Sequence, residues 1–535
     1  MSTVHELLRQ GKTEEIWQKY CGWVDLSIEE FMDTQRHLLL EQLELLSNCE
    51  LGRKIMRGAR PKTVDEFRQQ VPLTTYGDYL PYLAEQREDV LPDKPIGWHR
   101  TTGRSGEYPF KWVPLTERFE REGRIYVMAW IIFCTCRERG DINIKEHDKL
   151  LYGMAPPPYA TGRMPYALEN EFPFDLLPPT SVAEKLAFQE RIQAAFSLAL
   201  SRGMDIAFAI SSVLVAVGEQ FSKGLNRANL RTFLSHPRAW PRVARGLIRS
   251  RLERRPLLPR DLWNLKGVLS GGMDVSVLKH KINYYWGKYP LETYASAETG
   301  IIALQTWDYG TLTFVPSVVF LEFIPEEEHL RGKEDPGYQP QTVLLNEVEA
   351  GQRYELVVTS FFGEPFVRYR LGDMVEITAL RNERLNIDIP QMVFFARVDG
   401  VIDIGGFTRL TERVIWQAIE DAGIPCSGWT ARKEVVAKSP VLHIYFESKD
   451  ENMTADDVRF AIHNSLRQLH APYAELEDML GLQPLKVTLL PQGAFAGYML
   501  GQIAAGADLA HIKPPQVNAS YGVIAKLLGR ATEME

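Results

Sequence analysis

Cysteine is scarce. The 535-residue chain has five: Cys21, Cys49, Cys134, Cys136 and Cys426. They are too few and too scattered for a disulfide framework. Cys134-Thr135-Cys136 lies in the apolar run Val127 to Cys136. It has no second Cys/His pair to complete a metal site, so the two thiols read as buried. Long hydrophobic runs are missing too. The most apolar stretch, Ile206 to Gly218, is shorter than the roughly twenty residues that span a bilayer. Met1 to Lys19 is amphipathic and charged, without the basic-then-apolar layout of a signal peptide. A soluble, cytoplasmic protein is the expectation. Positive charge is not in excess: the net charge is −8, which implies no general attraction to nucleic acid or membrane. Internal repeats and low-complexity segments are absent. So are several catalytic templates. Without Gly-x-x-x-x-Gly-Lys-Ser/Thr this is no Walker-type NTPase, and without His-Glu-x-x-His it is no zinc protease of that class. Gly103-Arg104-Ser105-Gly106 lacks the spacing of a serine-hydrolase elbow.

What is present begins with length, enough for two or more domains with large cores. One stretch concentrates loop chemistry: Thr101-Thr102-Gly103-Arg104-Ser105-Gly106-Glu107-Tyr108-Pro109-Phe110-Lys111. Glycine lets backbone N–H groups approach a ligand where a Cβ would clash. Hydroxyls and two cations add hydrogen bonds to an anion. Two readings fit, a loop that holds the phosphates of a nucleotide and an ordinary polar turn.

Around this loop the patterning alternates. Ser2 to Gly58 reads as helices, with leucines at helical spacing. Thr63 and Glu66 form a capping box that opens a short helix, and Pro72 ends it. Pro114-Leu115-Thr116 opens another helix. Leu150 to Gly162 is strand then loop, and Ser181 to Phe221 reads as a pair of apolar helices broken near Gly203. Arg227 to Arg260 is rich in arginine; it fits a solvated helical face or a patch for the phosphates of nucleic acid or coenzyme A. From Leu262 short strands take over: Gly267 to Gly272, Leu291 to Gly300, Leu312 to Ile324, Tyr354 to Ser360, Phe366 to Val375 and Met392 to Arg397. Pro325 to Pro340 reads as a charged loop. Beyond the tight turn Val398-Asp399-Gly400, about 135 residues suit a small α+β domain. The expected domains are 1–397 and 398–535.

Two carboxylates stand out. Glu298 ends a strand amid Ala295, Ser296 and Ala297, where small residues let a flat ring lie against the backbone. Beside phosphates such a carboxylate suits Mg²⁺, an oxygen-seeking ion that keeps several waters; alternatively it is a surface glutamate at a strand end. Asp373 follows Arg368, Tyr369, Arg370 and Gly372 and suits a ribose, as acidic residues do in dinucleotide folds; alternatively it pairs with Arg370. Arg397, Asp399 and Arg409 flank Gly405-Gly406, whose spacing favours a hairpin over a hinge.

The order of these motifs resembles the adenylate-forming superfamily of acyl-CoA synthetases and their relatives. Within it the chain looks most like the auxin-responsive acyl-acid amido synthetases. The resemblance rests on loop 101–111, Tyr294-Ala295-Ser296-Ala297-Glu298, Tyr369-Arg370-Leu371-Gly372-Asp373 and Arg397-Val398-Asp399, with Val71-Pro72-Leu73-Thr74-Thr75-Tyr76, Tyr354 to Thr359, Thr408 to Glu412 and Gly493 to Pro515 favouring that branch. It implies an α/β fold. A large N-terminal domain of several subdomains would hold mixed and parallel sheets flanked by helices plus a β-barrel-like part, followed by a small mobile α+β C-terminal domain. It also implies ATP and Mg²⁺ as cofactors, and an acyl-adenylate made from a carboxylic acid. The acyl group would pass to an amine, of an amino acid, to form an amide. Thr101, Thr102, Gly103, Arg104, Ser105 and Gly106 would hold phosphate. Tyr294 and Ala295 to Ala297 would flank adenine, Glu298 would take Mg²⁺, and Asp373 the ribose. Arg397 and Arg409 would help hold ribose and phosphate, and Lys513 would reach the α-phosphate. Arg104 stands where the family has Thr, Arg409 where it has Lys, and Gln516 near its closing Arg. The Gly-Lys motif of the acyl-CoA synthetases is absent. Two other readings are an acyl-CoA ligase of the phenylacetate-activating kind and a nucleotide-binding protein without turnover. Residues 120–240 are expected to line the acid pocket, with Tyr152, Met154, Tyr159 and Met164 as candidates beside plain core packing.

Overall fold

The computed structural model describes residues 4–100, 111–154, 157–186, 188–223, 236–271, 275–335, 337–398, 400–404, 408–436, 439–471, 473–474, 484–504 and 514–529. The chain divides into two compact units. One is built from 1–101, 111–371 and 375–394, the other from 102–110, 372–374 and 395–535.

The first unit opens with helices Val4–Arg9, Thr13–Cys21, Ile28–Asn48 and Glu50–Ile55. The third is started by a capping box in which Ser27 and Glu30 satisfy each other's backbone N–H. Thr63 caps Val64–Gln70 through Glu66 N–H, but the reciprocal half of the expected capping box is not formed: the Glu66 carboxylate accepts Lys62 N–H at 2.8 Å instead. The unit then carries two main sheets. A five-stranded parallel sheet runs in the order Asp175–Leu177, Lys149–Gly153, Ile206–Ala209, Gly267–Leu269, Pro290–Leu291. Leu150, Leu151, Ile206, Ala207, Phe208, Val268 and Leu269 are all buried. Continuous apolar strands of this kind belong to parallel sheets covered on both faces. Helix Glu117–Thr135, capped by Thr116, packs closely on this sheet. A Cβ at Gly267 would come within 2.4 Å of the Cys134 carbonyl oxygen, so only glycine allows the approach. Cys134 and Cys136 are buried free thiols.

The second sheet, the part expected to be barrel-like, has seven strands. Their order is Val319–Pro325, Arg353–Ser360, Tyr369–Ala379, Gln391–Arg397, Leu312–Phe314, Gly300–Gln305 and Thr293–Ser296. Three expectations need correction here. Ser181 to Phe221 is not two helices alone: strand Ile206–Ala209 separates Phe188–Arg202 from Ser211–Ser222. A short apolar run reads equally as helix or strand until its neighbours are known, and here parallel strands flank it on both sides. Leu291 to Gly300 is not one strand: Pro290–Leu291 ends the parallel sheet, and Thr293–Ser296 begins the antiparallel one. Pro325 to Pro340 contains helix Glu326–Glu334, with three glutamates in its first turn and Arg331 and Lys333 in its last. That charge order favours the helix dipole.

The second unit holds strands Val401–Ile404 and Thr408–Thr411, paired antiparallel; Gly405-Gly406, read from the sequence as a hairpin turn, lies outside the described residues. Helix Glu412–Asp421 is capped by Thr411. A three-stranded sheet joins Cys426–Val436, Ser439–Ser448 and Leu485–Leu489. One sheet face carries Trp429, Ala431, Leu442, Ile444 and Phe446, buried with Ile462 and Leu466 of helix Ala455–Leu469.

Candidate functional site

In the first unit, four sequence-distant segments meet at one ammonium group. Lys111 Nζ lies 3.6 Å from the Glu298 carboxylate and donates to the Tyr369 hydroxyl at 3.0 Å. It also stands 5.2 Å from the centre of the Tyr76 ring and 5.7 Å from that of Tyr369. Both ion-pair partners are largely buried, Glu298 9% exposed. At an effective dielectric of about 20 the pair attracts by roughly 4 to 5 kcal/mol before both groups are desolvated.

The backbone explains the convergence. Thr74 N–H donates to Arg368 C=O, and Arg370 N–H donates to Thr74 C=O, both at 2.9 Å. The segment before the glycine loop is thereby laced to the start of strand Tyr369–Ala379. Tyr76 accepts Trp112 N–H at 2.8 Å, which anchors the chain as it leaves the loop. Glu298 sits in the turn between Thr293–Ser296 and Gly300–Gln305. Ser296 and Thr299 hydroxyls are 3.0 Å apart across that turn, and Gly300 has φ +65, a backbone region costly for other residues. Tyr294 is buried and stacks on Phe394, centroids 6.1 Å apart. Ala295 is exposed, and Ser296 and Ala297 are half-buried.

Arg370 is not the partner of Asp373. It grips Glu355 with two hydrogen bonds, 2.9 and 2.6 Å, and Glu355 also bonds His329 at 2.6 Å. Burial works to raise the Glu355 carboxyl; hydrogen bonds and charge from His329 and Arg370 overcome it and hold the group below its usual value. Next to it, Arg368 makes two hydrogen bonds to the fully buried Glu322 and two to the carbonyls of Arg68 and Val71.

In the second unit, Asp373 lies 3.6 Å from Arg397. Val398 N–H donates to Gly372 C=O at 2.9 Å, and Gly400 N–H to Arg397 C=O at 3.0 Å. Gly372 has φ +74, so the turn that presents Asp373 requires glycine. Arg409 pairs in register with Asp403.

Thr101, Thr102, Gly103, Arg104, Ser105, Gly106, Asp399 and Lys513 lie outside the described residues. Of the acid-pocket candidates, Tyr152 is buried in the core. Its hydroxyl donates to Thr161 C=O, and its ring packs on Phe208 at 5.2 Å. Tyr159 is also buried and accepts from Arg100. Lys111 was visible in the sequence only as the second cation of the loop stretch. Its link to Glu298, 187 positions away by numbering, had no local signal.

The mixed α/β architecture, a large N-terminal part and a smaller C-terminal one, is that of the acyl acid amido synthetases in the adenylate-forming fold. The solved structure of GH3.15 acyl acid amido synthetase matches with a TM-score of 0.66 at 17% identity, covering 93% of each chain. A 2-hydroxyisobutyryl-CoA ligase in its postadenylation state matches with a TM-score of 0.60 at 15% identity, covering 93% of this chain and 90% of that one. Three models of one family match the sequence: the GH3 family N-terminal domain at residues 22–165, central domain at 312–397 and C-terminal domain at 411–521. The chain belongs to the GH3 family. Among curated relatives, a jasmonoyl–L-amino acid synthetase, GH3.5 of Oryza sativa subsp. japonica, is 28% identical over 49% of this chain and 47% of its own. The match thus spans about half the length of that relative. An indole-3-acetic acid-amido synthetase, GH3.10 of Arabidopsis thaliana, is 23% identical over 89% of this chain and 90% of its own.

Proposed function

We propose that the protein is an ATP-dependent ligase that activates a carboxylic acid as an acyl-adenylate and passes the acyl group to the amine of an amino acid. The observation that carries this reading is the meeting of Lys111, Glu298, Tyr369 and Tyr76. It joins the end of the glycine loop to three further family segments within one unit. In the first step a carboxylate oxygen attacks the α-phosphorus and pyrophosphate leaves. In the second the amine nitrogen attacks the acyl carbon, AMP leaves, and the amine gives up a proton. The first is an in-line displacement, so positioning and charge neutralisation supply most of the catalysis.

In this reading Thr101 to Gly106 and Lys111 hold phosphates, Tyr294 to Ala297 flank adenine, and Asp373 with Arg397 receives the ribose. Arg409 assists at ribose and phosphate. Lys513 reaches the α-phosphate when residues 398–535, as a small domain, swing about Val398–Gly400. No three His, Cys, Asp or Glu side chains form a metal cage among the described residues. One carboxylate, Glu298, nonetheless suits Mg²⁺, which is held by few protein ligands together with substrate phosphates. Bound there, the ion would neutralise phosphate charge. Five free cysteines, four of them buried, suit a reducing, cytoplasmic compartment.

The test supplies ATP, Mg²⁺ and a panel of carboxylic acids and amino acids, and reads AMP and amide. Acyl transfer only to coenzyme A overturns the amide reading in favour of an acyl-CoA ligase, the second reading, which the 2-hydroxyisobutyryl-CoA ligase likeness favours. Absence of carboxylate-dependent pyrophosphate exchange with every acid overturns both.

A further inference from the structure

Helix Trp240–Leu252 carries thirteen residues of the arginine-rich stretch. One face is committed to the core. Gly246 and Ser250 are buried, and Val243 and Leu247 pack against the cluster that contains Leu257, Leu262 and Trp263. A Cβ at Gly246 would approach Leu257 to 2.8 Å, so the helix is seated closely. The other face is turned outward and is not polar. Trp240 is 51% exposed, Ile248 62% and Leu252 80%. With the exposed Ala244 they recur every fourth residue. A step of four advances about 40° around a helix, so the four form one continuous apolar stripe.

Cations border the stripe. Arg238, Arg245, Arg249, Arg251 and Arg254 are exposed, and His236 to Leu252 contains no acidic residue. The acids just beyond are occupied. Glu253 bonds Arg249 and Arg255, and Asp261 accepts two hydrogen bonds from Arg255. Among the described residues no carboxylate pairs with Arg238, Arg245, Arg251 or Arg254. On a chain of net charge −8 this is a local positive field that the total conceals.

We propose that this helix is a docking surface for an anionic lipid bilayer. An exposed apolar stripe on a helix, edged by arginines and beginning with tryptophan, is the pattern of helices that lie in the bilayer interface. The arginines complement the acidic lipid headgroups, and the stripe enters the acyl boundary. With thirteen residues and a face bonded to the core, the helix lies on the membrane and does not cross it. Peripheral docking of this kind puts the protein beside acids that partition into membranes.

The experiment uses the full chain and vesicles of phosphatidylcholine, alone or with about one-third phosphatidylserine, read by co-sedimentation. Binding is expected to the anionic vesicles, to fall steeply with salt and to be weak on phosphatidylcholine alone. Ile248→Asp with Leu252→Asp should abolish it. Arg245→Ala with Arg251→Ala should weaken it about 25-fold, about fivefold per arginine. All four positions are exposed, so circular dichroism and vesicle-free activity should be unchanged. Four results overturn the proposal: no binding to anionic vesicles, binding that both variants retain, concentration-dependent dimerisation that Leu252→Asp abolishes, or coenzyme A affinity that the arginine variant loses.

Discussion

Glu364 is a buried carboxyl group at which a single proton has a readable effect on stability. Its side chain is 1% exposed. It accepts Thr116 N–H at 2.7 Å, while its own carbonyl accepts from Gln42 at 2.7 Å. Burial pushes its carboxyl up to about 8, and Asp93 adds to the shift; the hydrogen bonds from Thr116 offset part of it. In the unfolded chain the group titrates near 4.5. Between these two values the folded state keeps a proton that the unfolded state has lost, so this group lowers stability as pH rises. Its contribution is most favourable below the unfolded value and is lost progressively up to the folded one. At pH 7 the difference is about 2.5 pH units, or about 3 kcal/mol. Glu364→Gln keeps an oxygen for Thr116 N–H and cannot ionise. Burial of its extra N–H costs about 1 kcal/mol. The variant should therefore be about 2 kcal/mol more stable near pH 7, with no gain near the unfolded value. Urea titrations between about pH 5 and pH 8 measure this. A gain independent of pH, or one that grows as pH falls, refutes the reasoning.

Four further single substitutions have expected outcomes. Glu298→Ala should abolish carboxylate-dependent pyrophosphate exchange with an unchanged circular dichroism spectrum, and Lys111→Met should slow exchange roughly 100-fold by removing a preorganised cation; unchanged rates in either variant contradict the site. Lys513→Ala should reduce the rate of adenylate formation far more than ATP affinity, and equal losses argue against a transition-state role. Arg368→Met leaves Glu322 buried and unpaired, so it should cost about 3 to 5 kcal/mol; the double variant with Glu322→Met should recover most of that, and a failure to recover would place the cost in the backbone contacts of Arg368.

Much of the architecture was legible because it is local. Thr63 and Thr116 cap helices at the starts read from the sequence. Capping needs only a hydroxyl and an N–H three residues on. Three elements were not legible. Ile206–Ala209 is too short to show a period. The sheet change at Glu292 depends on which strands wait on either side. The partner of Arg370 depends on Glu355, on a neighbouring strand, and on His329, on a helix read as loop.

The order of motifs along the chain, by itself, determined the family and the set of candidate residues, because phosphate, ribose and metal each call for particular side chains at particular turns. Folding alone decided that Lys111, Glu298, Tyr369 and Tyr76 share one location, that Arg370 is spent on Glu355, and that the arginines of Trp240–Leu252 border an exposed apolar stripe. Pairwise distance and burial arise when strands and helices far apart in the chain pack together, and neither spacing nor net charge carries that information.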